Sequence, residues 1–133
     1  MNIEDVEGVG PVNAAKLQEA GVRTTDELLQ RGATPGGRQE LESATGISHN
    51  QILEWTNHAD LYRISGVGSE YADLLEAAGV DSVAELAQRN AKNLAETFAE
   101  LDAARNTVRS IPGEATVERW IEEAKTLPRM VEY

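Results

Sequence analysis

Residues 8–31 read GVGPVNAAKLQEAGVRTTDELLQR, and residues 66–89 read GVGSEYADLLEAAGVDSVAELAQR. At a constant offset of 58 residues, 12 of these 24 positions are identical. In the first copy they are Gly8, Val9, Gly10, Ala14, Leu17, Ala20, Gly21, Val22, Glu27, Leu28, Gln30 and Arg31. A weaker match at an offset of 65 pairs Trp55 with Trp120. The pattern predicts a tandem duplication, with one repeat unit over residues 1–60 and another over residues 61–133.

Each copy carries the signals of short packed helices. Apolar residues three apart, such as Ile3 and Val6, share one helix face. A glycine turn follows in each copy. We call residues 8–12 the first glycine turn and residues 66–70 the second. Glycine adopts a positive φ at low cost and lets two backbones approach closely, so we expect Gly10 and Gly68 to be required for a positive φ or for close packing.

Helix boundaries are also marked along the chain. Gly21 and Gly79 are predicted to end a helix in each copy. Thr24 with Glu27, and Ser82 with Glu85, are spaced as capping boxes that open the next helix. Ser48 is predicted to cap a helix that carries Trp55. Residues 94–104 are predicted to form another helix, and a last helix is predicted after Gly113. We expect a loop over residues 33–37 because of their proline and glycines. The fold class is therefore all-α, with the repeats packed as one compact helical domain.

Composition and charge limit the function classes. The chain has 133 residues, no cysteine and a net charge of −11. Acids exceed bases in both halves, by 10 to 4 over residues 1–60 and by 13 to 8 over residues 61–133. No basic segment steers the chain toward nucleic acid. The acidic first five residues, the lack of cysteine and the lack of an apolar run of about 18 residues predict a cytoplasmic protein outside the membrane.

Two stretches resemble the helix-hairpin-helix consensus. The first is Ile3-x-x-Val6-x-Gly8-Val9-Gly10-x-x-x-Ala14-x-x-Leu17, and the second is Leu61-x-x-Ile64-x-Gly66-Val67-Gly68-x-x-x-Ala72-x-x-Leu75. Over nearly its full length the chain is also similar to the prokaryotic family called domain of unknown function 4332. The residues that carry this similarity include Thr45-Gly46-Ile47-Ser48, Gln51-Ile52-Leu53-x-Trp55, the block from Gly66 to Arg89, and Val117-x-x-Trp120-Ile121. That resemblance implies a duplicated helical fold and no known activity.

The helix-hairpin-helix resemblance also implies a contact surface. In DNA-binding members, hairpin amides at the start of the second helix bind a phosphate, and hairpin carbonyls can hold a monovalent cation. By motif position the candidates here are Gly8, Val9, Gly10, Pro11, Val12, Gly66, Val67, Gly68, Ser69 and Glu70. Basic candidates are few, namely Lys16, Arg63, Arg105 and Arg109. Acids surround both turns, which departs from the DNA-binding pattern and disfavours phosphate.

Three interpretations of the glycine turns stay open. They are architectural only, they contact a protein, or they contact nucleic acid. The residues offer no credible catalytic arrangement, and the two histidines lack metal-ligand spacing, so we expect no enzyme, no metal and no cofactor. The favoured hypothesis is a non-catalytic binding or scaffold module with an unknown protein partner. The alternative is weak, sequence-independent binding to the backbone of DNA or RNA.

Overall fold

A computed structural model describes residues 1–105 and 111–133. Over these residues the protein is all-helical, which confirms the predicted class. A short 3-10 helix (Ile3–Asp5) precedes eight α-helices. They are α1 (Gly10–Glu19), α2 (Thr25–Gly32), α3 (Pro35–Thr45), α4 (His49–Leu61), α5 (Ser69–Ala77), α6 (Val83–Leu86), α7 (Ala91–Arg105) and α8 (Glu114–Thr126). The one β-type pairing in the described ranges is an isolated bridge between Asn2 and Thr24.

The described residues form two compact units. The first contains residues 1–60 together with residues 130–133, and the second contains residues 61–129. Each holds four α-helices, except that α4 reaches one residue beyond the first unit. The interpretation of these units as helix-hairpin-helix repeats stays a prediction.

The same end-of-helix geometry occurs in both units. Gly21 has φ +92° and Gly79 has φ +87°, as expected of glycines just past a helix end. The following amides, of Val22 and Val80, donate to the carbonyls of Leu17 and Leu75 at 2.8 Å. These six-to-one bonds satisfy carbonyls that the helix end leaves open.

An arginine from the next helix also binds each of these helix ends. Arg31 Nη1 donates to the Ala20 carbonyl at 2.7 Å, and Arg89 Nη2 donates to the Gly79 carbonyl at 3.0 Å. Both arginines belong to the set of 12 identical positions. A cation there donates to carbonyls that have no partner within the helix, and the negative end of the helix dipole stabilises its charge.

The two predicted capping boxes differ. Thr24 Oγ1 accepts from the Glu27 amide at 3.2 Å, and Glu27 Oε1 accepts from the Arg23 amide at 3.2 Å. Ser82 Oγ likewise accepts from the Glu85 amide at 3.2 Å. The Glu85 carboxylate, however, pairs with Arg89 four residues on, at 3.2 Å. The bond from the helix amide to the capping hydroxyl therefore forms in both copies. The glutamate carboxylate accepts from an amide before the helix only in the first copy.

The loop expected over residues 33–37 is wrong for its second half. α3 begins at Pro35, with Thr34 as its N-cap accepting from the Gly37 amide at 3.0 Å. Proline at the first helical position costs no hydrogen bond, since that amide has no partner in any helix. Gly37 is also packed so closely that an added methyl group would overlap the Arg31 carbonyl oxygen. The glycine here serves a close approach between α2 and α3.

A buried arginine joins α3 to the end of the chain. Arg38 is 1% exposed and donates to the carbonyls of Gly32 and Glu132, both at 2.7 Å. Its Nε donates to His49 Nε2 at 3.3 Å. Burial lowers the pKa of the Arg38 guanidinium below its ordinary value, and the nearby Tyr133 and Glu132 oppose that shift. Hydrogen bonds on all three nitrogens offset the cost of burying this charge.

The core of the second unit is aliphatic with an aromatic centre. Trp120 is 4% exposed and lies in this core. Its ring centroid lies 5.3 Å from that of Tyr71 and 6.5 Å from that of Phe98. Leu75 and Val117 are fully buried in the same cluster. Tilted aromatic pairs at this spacing add to the stabilisation from buried area.

Candidate glycine-turn binding sites

The first glycine turn has the backbone that its sequence predicts. Gly8 has φ +88° and Gly10 has φ +72°, both in the left-handed region. α1 begins at Gly10, and its N-cap Val9 makes no side-chain capping bond. Val9 is 2% exposed, so its side chain belongs to the core and only its backbone can meet a partner.

The surface of the first glycine turn is apolar and acid-flanked. Gly10, Pro11 and Val12 are exposed, and Val12 at 67% is the most exposed large apolar side chain of the described residues. The preceding acids, Glu4, Asp5 and Glu7, are exposed as well. The turn therefore offers an apolar tip within a negative surrounding.

The second glycine turn differs at Gly68. Gly66 has φ +88°, matching Gly8, but Gly68 is extended, with φ −106° and ψ −165°. An added methyl group at Gly68 would also meet nothing within 4 Å, so the expectation that Gly68 needs a positive φ or close packing is wrong, whereas Gly10 does have the positive φ. The chain leaves this turn as an extended N-cap of α5, and helical residues begin one position later than in the first copy.

Of the second turn's candidate contacts, Glu70 is exposed and Ser69 is half-buried. Ser69 Oγ lies 3.1 Å from the Tyr62 hydroxyl. Val67 is 5% exposed and packs in the core, so it too offers only backbone atoms. Gly66 lies beside Trp120, whose Nε1 would be 3.8 Å from an added methyl group. Gly8 lies equally beside Trp55, at 3.9 Å.

The second turn also has neighbours that sequence reasoning missed. The Ser65 amide donates to Glu123 Oε1 at 3.0 Å, and the Ser65 hydroxyl is 3.3 Å from Glu123 Oε2. Ser65, Gly66, Tyr71, Thr116, Arg119, Trp120 and Glu123 line a cavity of about 380 Å³. The available signal was Trp120, since a residue three positions further on the same helix shares its face.

Among the described residues, the basic candidates Lys16 and Arg63 do not form a cationic surface at either turn. Lys16 is exposed, but it follows Gly10 by six residues, a rise of about 9 Å along α1. Arg63 is half-buried and its Nη2 donates to the Pro128 carbonyl at 2.9 Å. Arg105 is the last residue of α7, and Arg109 lies outside the described residues.

Ser48 and His49, neighbours in sequence, both have structural partners. Ser48 Oγ accepts from the Gln51 amide at 3.2 Å and so caps α4 as predicted. His49 accepts from Arg38, and its amide donates to Glu42 Oε2 at 2.7 Å.

Over the described ranges, no helix has both the length and the apolar character needed to span a membrane.

The fold and its turns define an all-helical protein with two glycine turns, each packed beside a buried tryptophan. The chain belongs to the family described as Domain of unknown function (DUF4332), whose pattern matches residues 7–127. Comparisons with curated proteins and with solved structures found no match.

Proposed function

We propose that the protein is a non-catalytic binding or scaffold module built from two helix-hairpin-helix repeats, and that it contacts a protein partner. The observation that carries this proposal is the exposed apolar tip of the first glycine turn. Val12 is 67% exposed next to an exposed proline, and the flanking acids add negative charge. A partner with an apolar pocket and a basic rim complements this surface.

The repeat assignment rests on matched contacts. The turn glycines Gly8 and Gly66 share φ +88°, and each lies beside a tryptophan nitrogen. Arg31 Nη1 donates to the Ala20 carbonyl at 2.7 Å, and at the 58-residue offset Arg89 Nη1 lies 3.5 Å from the equivalent Ala78 carbonyl. Contacts that recur between the two halves of the chain support two copies of one structural unit.

The competing function is weak binding to the backbone of DNA or RNA. One observation favours it, because α1 and α5 both begin without a side-chain cap. Amides in the first turn of such a helix favour an anion. The net charge of −11 opposes it, since binding to nucleic acid draws most of its affinity from cationic side chains.

Two measurements test the proposal. Fluorescence anisotropy with short duplex DNA should give a Kd of about 10⁻⁴ M or weaker at physiological salt. Sub-micromolar binding there would favour the nucleic-acid function instead. In affinity capture from a lysate, Val12→Glu should lose partner bands that the wild type retains. Gln30→Glu, an equal charge change at another exposed position, should keep them. Equal capture by both variants would reject the first turn as the contact surface.

A further inference from the structure

The residue before the second glycine turn holds a carboxylate. Ser65 directs its amide to one oxygen of Glu123 and its hydroxyl toward the other, at 3.0 and 3.3 Å. Two neighbouring donors on the two oxygens of one carboxylate form a cradle that suits an oxyanion. The cradle and the carboxylate are 58 residues apart in sequence and meet only in the folded second unit.

The turn itself does not require this pair. In the first copy, Glu7 stands where Ser65 stands, and His58 stands where Glu123 stands at the 65-residue offset. Gly8 nevertheless reaches the same φ of +88° as Gly66. The Ser65–Glu123 contact is therefore a feature that the second unit adds to a turn that forms without it.

A cation lies on the same helix face. Arg119 precedes Glu123 by four residues, lines the same cavity of about 380 Å³ and is exposed. Its Nη2 donates to Thr116 Oγ1 at 3.2 Å, and over the described residues it pairs with no carboxylate. The Glu123 carboxylate turns to Ser65 instead. A guanidinium in this position can donate two hydrogen bonds to an anion in bidentate geometry.

We propose that Ser65 and Arg119 form an oxyanion-binding site whose resident anion is the Glu123 carboxylate. An external carboxylate or phosphoryl group binds there when Glu123 withdraws. Because Glu123 occupies the site, the apparent affinity for an external anion is the intrinsic affinity multiplied by the fraction of time for which the site is vacant. This inference rests on the proposed binding function, because it adds a second contact site to the module. At the second turn Glu123 occupies that site, whereas the surface of the first turn is free to meet a partner.

The test removes the resident anion. Glu123→Ala is compared with Glu122→Ala, a matched loss of one charge at an exposed neighbour on α8 that pairs with Lys125. Sodium phosphate and sodium acetate are titrated against sodium chloride at equal ionic strength. Binding is followed by the Ser65 amide signal in NMR spectra and by the thermal midpoint. We expect Glu123→Ala to bind at least about tenfold more tightly than wild type or Glu122→Ala. Arg119→Ala added to Glu123→Ala should abolish the gain.

Each result has a defined meaning. A gain with both salts supports a general oxyanion site, whereas a gain with phosphate or acetate alone supports the site and identifies its ligand class. Equal affinities in Glu123→Ala and Glu122→Ala overturn the proposal. If Glu123→Ala fails to fold, Glu123→Gln replaces it. Glutamine has one acceptor oxygen and no charge, so it holds the two Ser65 donors more weakly than glutamate and should leave the site vacant more often. An unchanged phosphate affinity in that variant also overturns the proposal. Val12 lies in the other unit, so a failure of the partner-capture experiment leaves this result unaffected.

Discussion

Substituting Gly37 with alanine should destabilise the protein, against the usual trend for a helical glycine. Gly37 lies in the first turn of α3, and its φ needs no left-handed conformation. A methyl group added there would overlap the backbone carbonyl oxygen of Arg31 and lie 3.2 Å from Thr34 Oγ1. A backbone carbonyl cannot rotate away as a flexible side chain can, so α2 and α3 must separate.

The magnitude follows from two opposing terms. Replacing glycine by alanine in a helix stabilises it by about 0.5–1 kcal/mol through chain entropy and propensity. Forcing an extra methyl group into a packed contact costs about 1–3 kcal/mol. The separation would also strain the bond from Arg38 to the Gly32 carbonyl. We expect a net loss of about 1–2 kcal/mol in the free energy of unfolding.

The neighbouring glycine supplies the control. Gly36 is exposed in the same first turn, and an added methyl group there meets nothing within 4 Å. Gly36→Ala should be neutral or raise the thermal midpoint slightly. Gly37→Ala should lower it by about 4–8 °C per kcal/mol for a cooperative unit of this size, as measured by circular dichroism. A Gly37→Ala midpoint at or above the wild-type value would refute the close approach of α2 and α3.

Three further predictions concern the turns, the buried arginine and the binding surface. Gly10→Ser should lower the free energy of unfolding by about 1–2 kcal/mol because Gly10 has φ +72°, whereas Gly68→Ser should be neutral because Gly68 is extended. Similar denaturation midpoints for the two variants would contradict this. Arg38→Met should lower the free energy of unfolding in urea by about 2–4 kcal/mol, because the carbonyls of Gly32 and Glu132 lose their donor. A variant as stable as the wild type would show these bonds to be dispensable. Raising salt from 50 to 200 mM should leave the weak duplex DNA binding nearly unchanged, since few phosphates are neutralised; a steep salt dependence would indicate a cationic surface.

Local signals in the sequence predicted much of the helical framework. The end of α1 needs only a residue just beyond it, Gly21, that tolerates φ +92°. The start of α2 needs only a hydroxyl at its N-cap, Thr24, three residues before the amide that it accepts from. Motif position alone makes Val9 and Val67 candidate contacts, but it does not say which of their atoms face solvent. Both side chains are buried.

The sequence by itself determined the all-helical class and the positions of both glycine turns, because those depend on contacts within four or five residues. The tertiary structure decided the rest. Residues 35–37 look like a loop until α2 packs against them, and then a capped helix with a close glycine is favoured. The contact between Ser65 and Glu123 spans 58 residues, and Arg38 meets Glu132 across 94. Contacts at such separations form only when packing brings the segments together, and no periodicity in the chain encodes them.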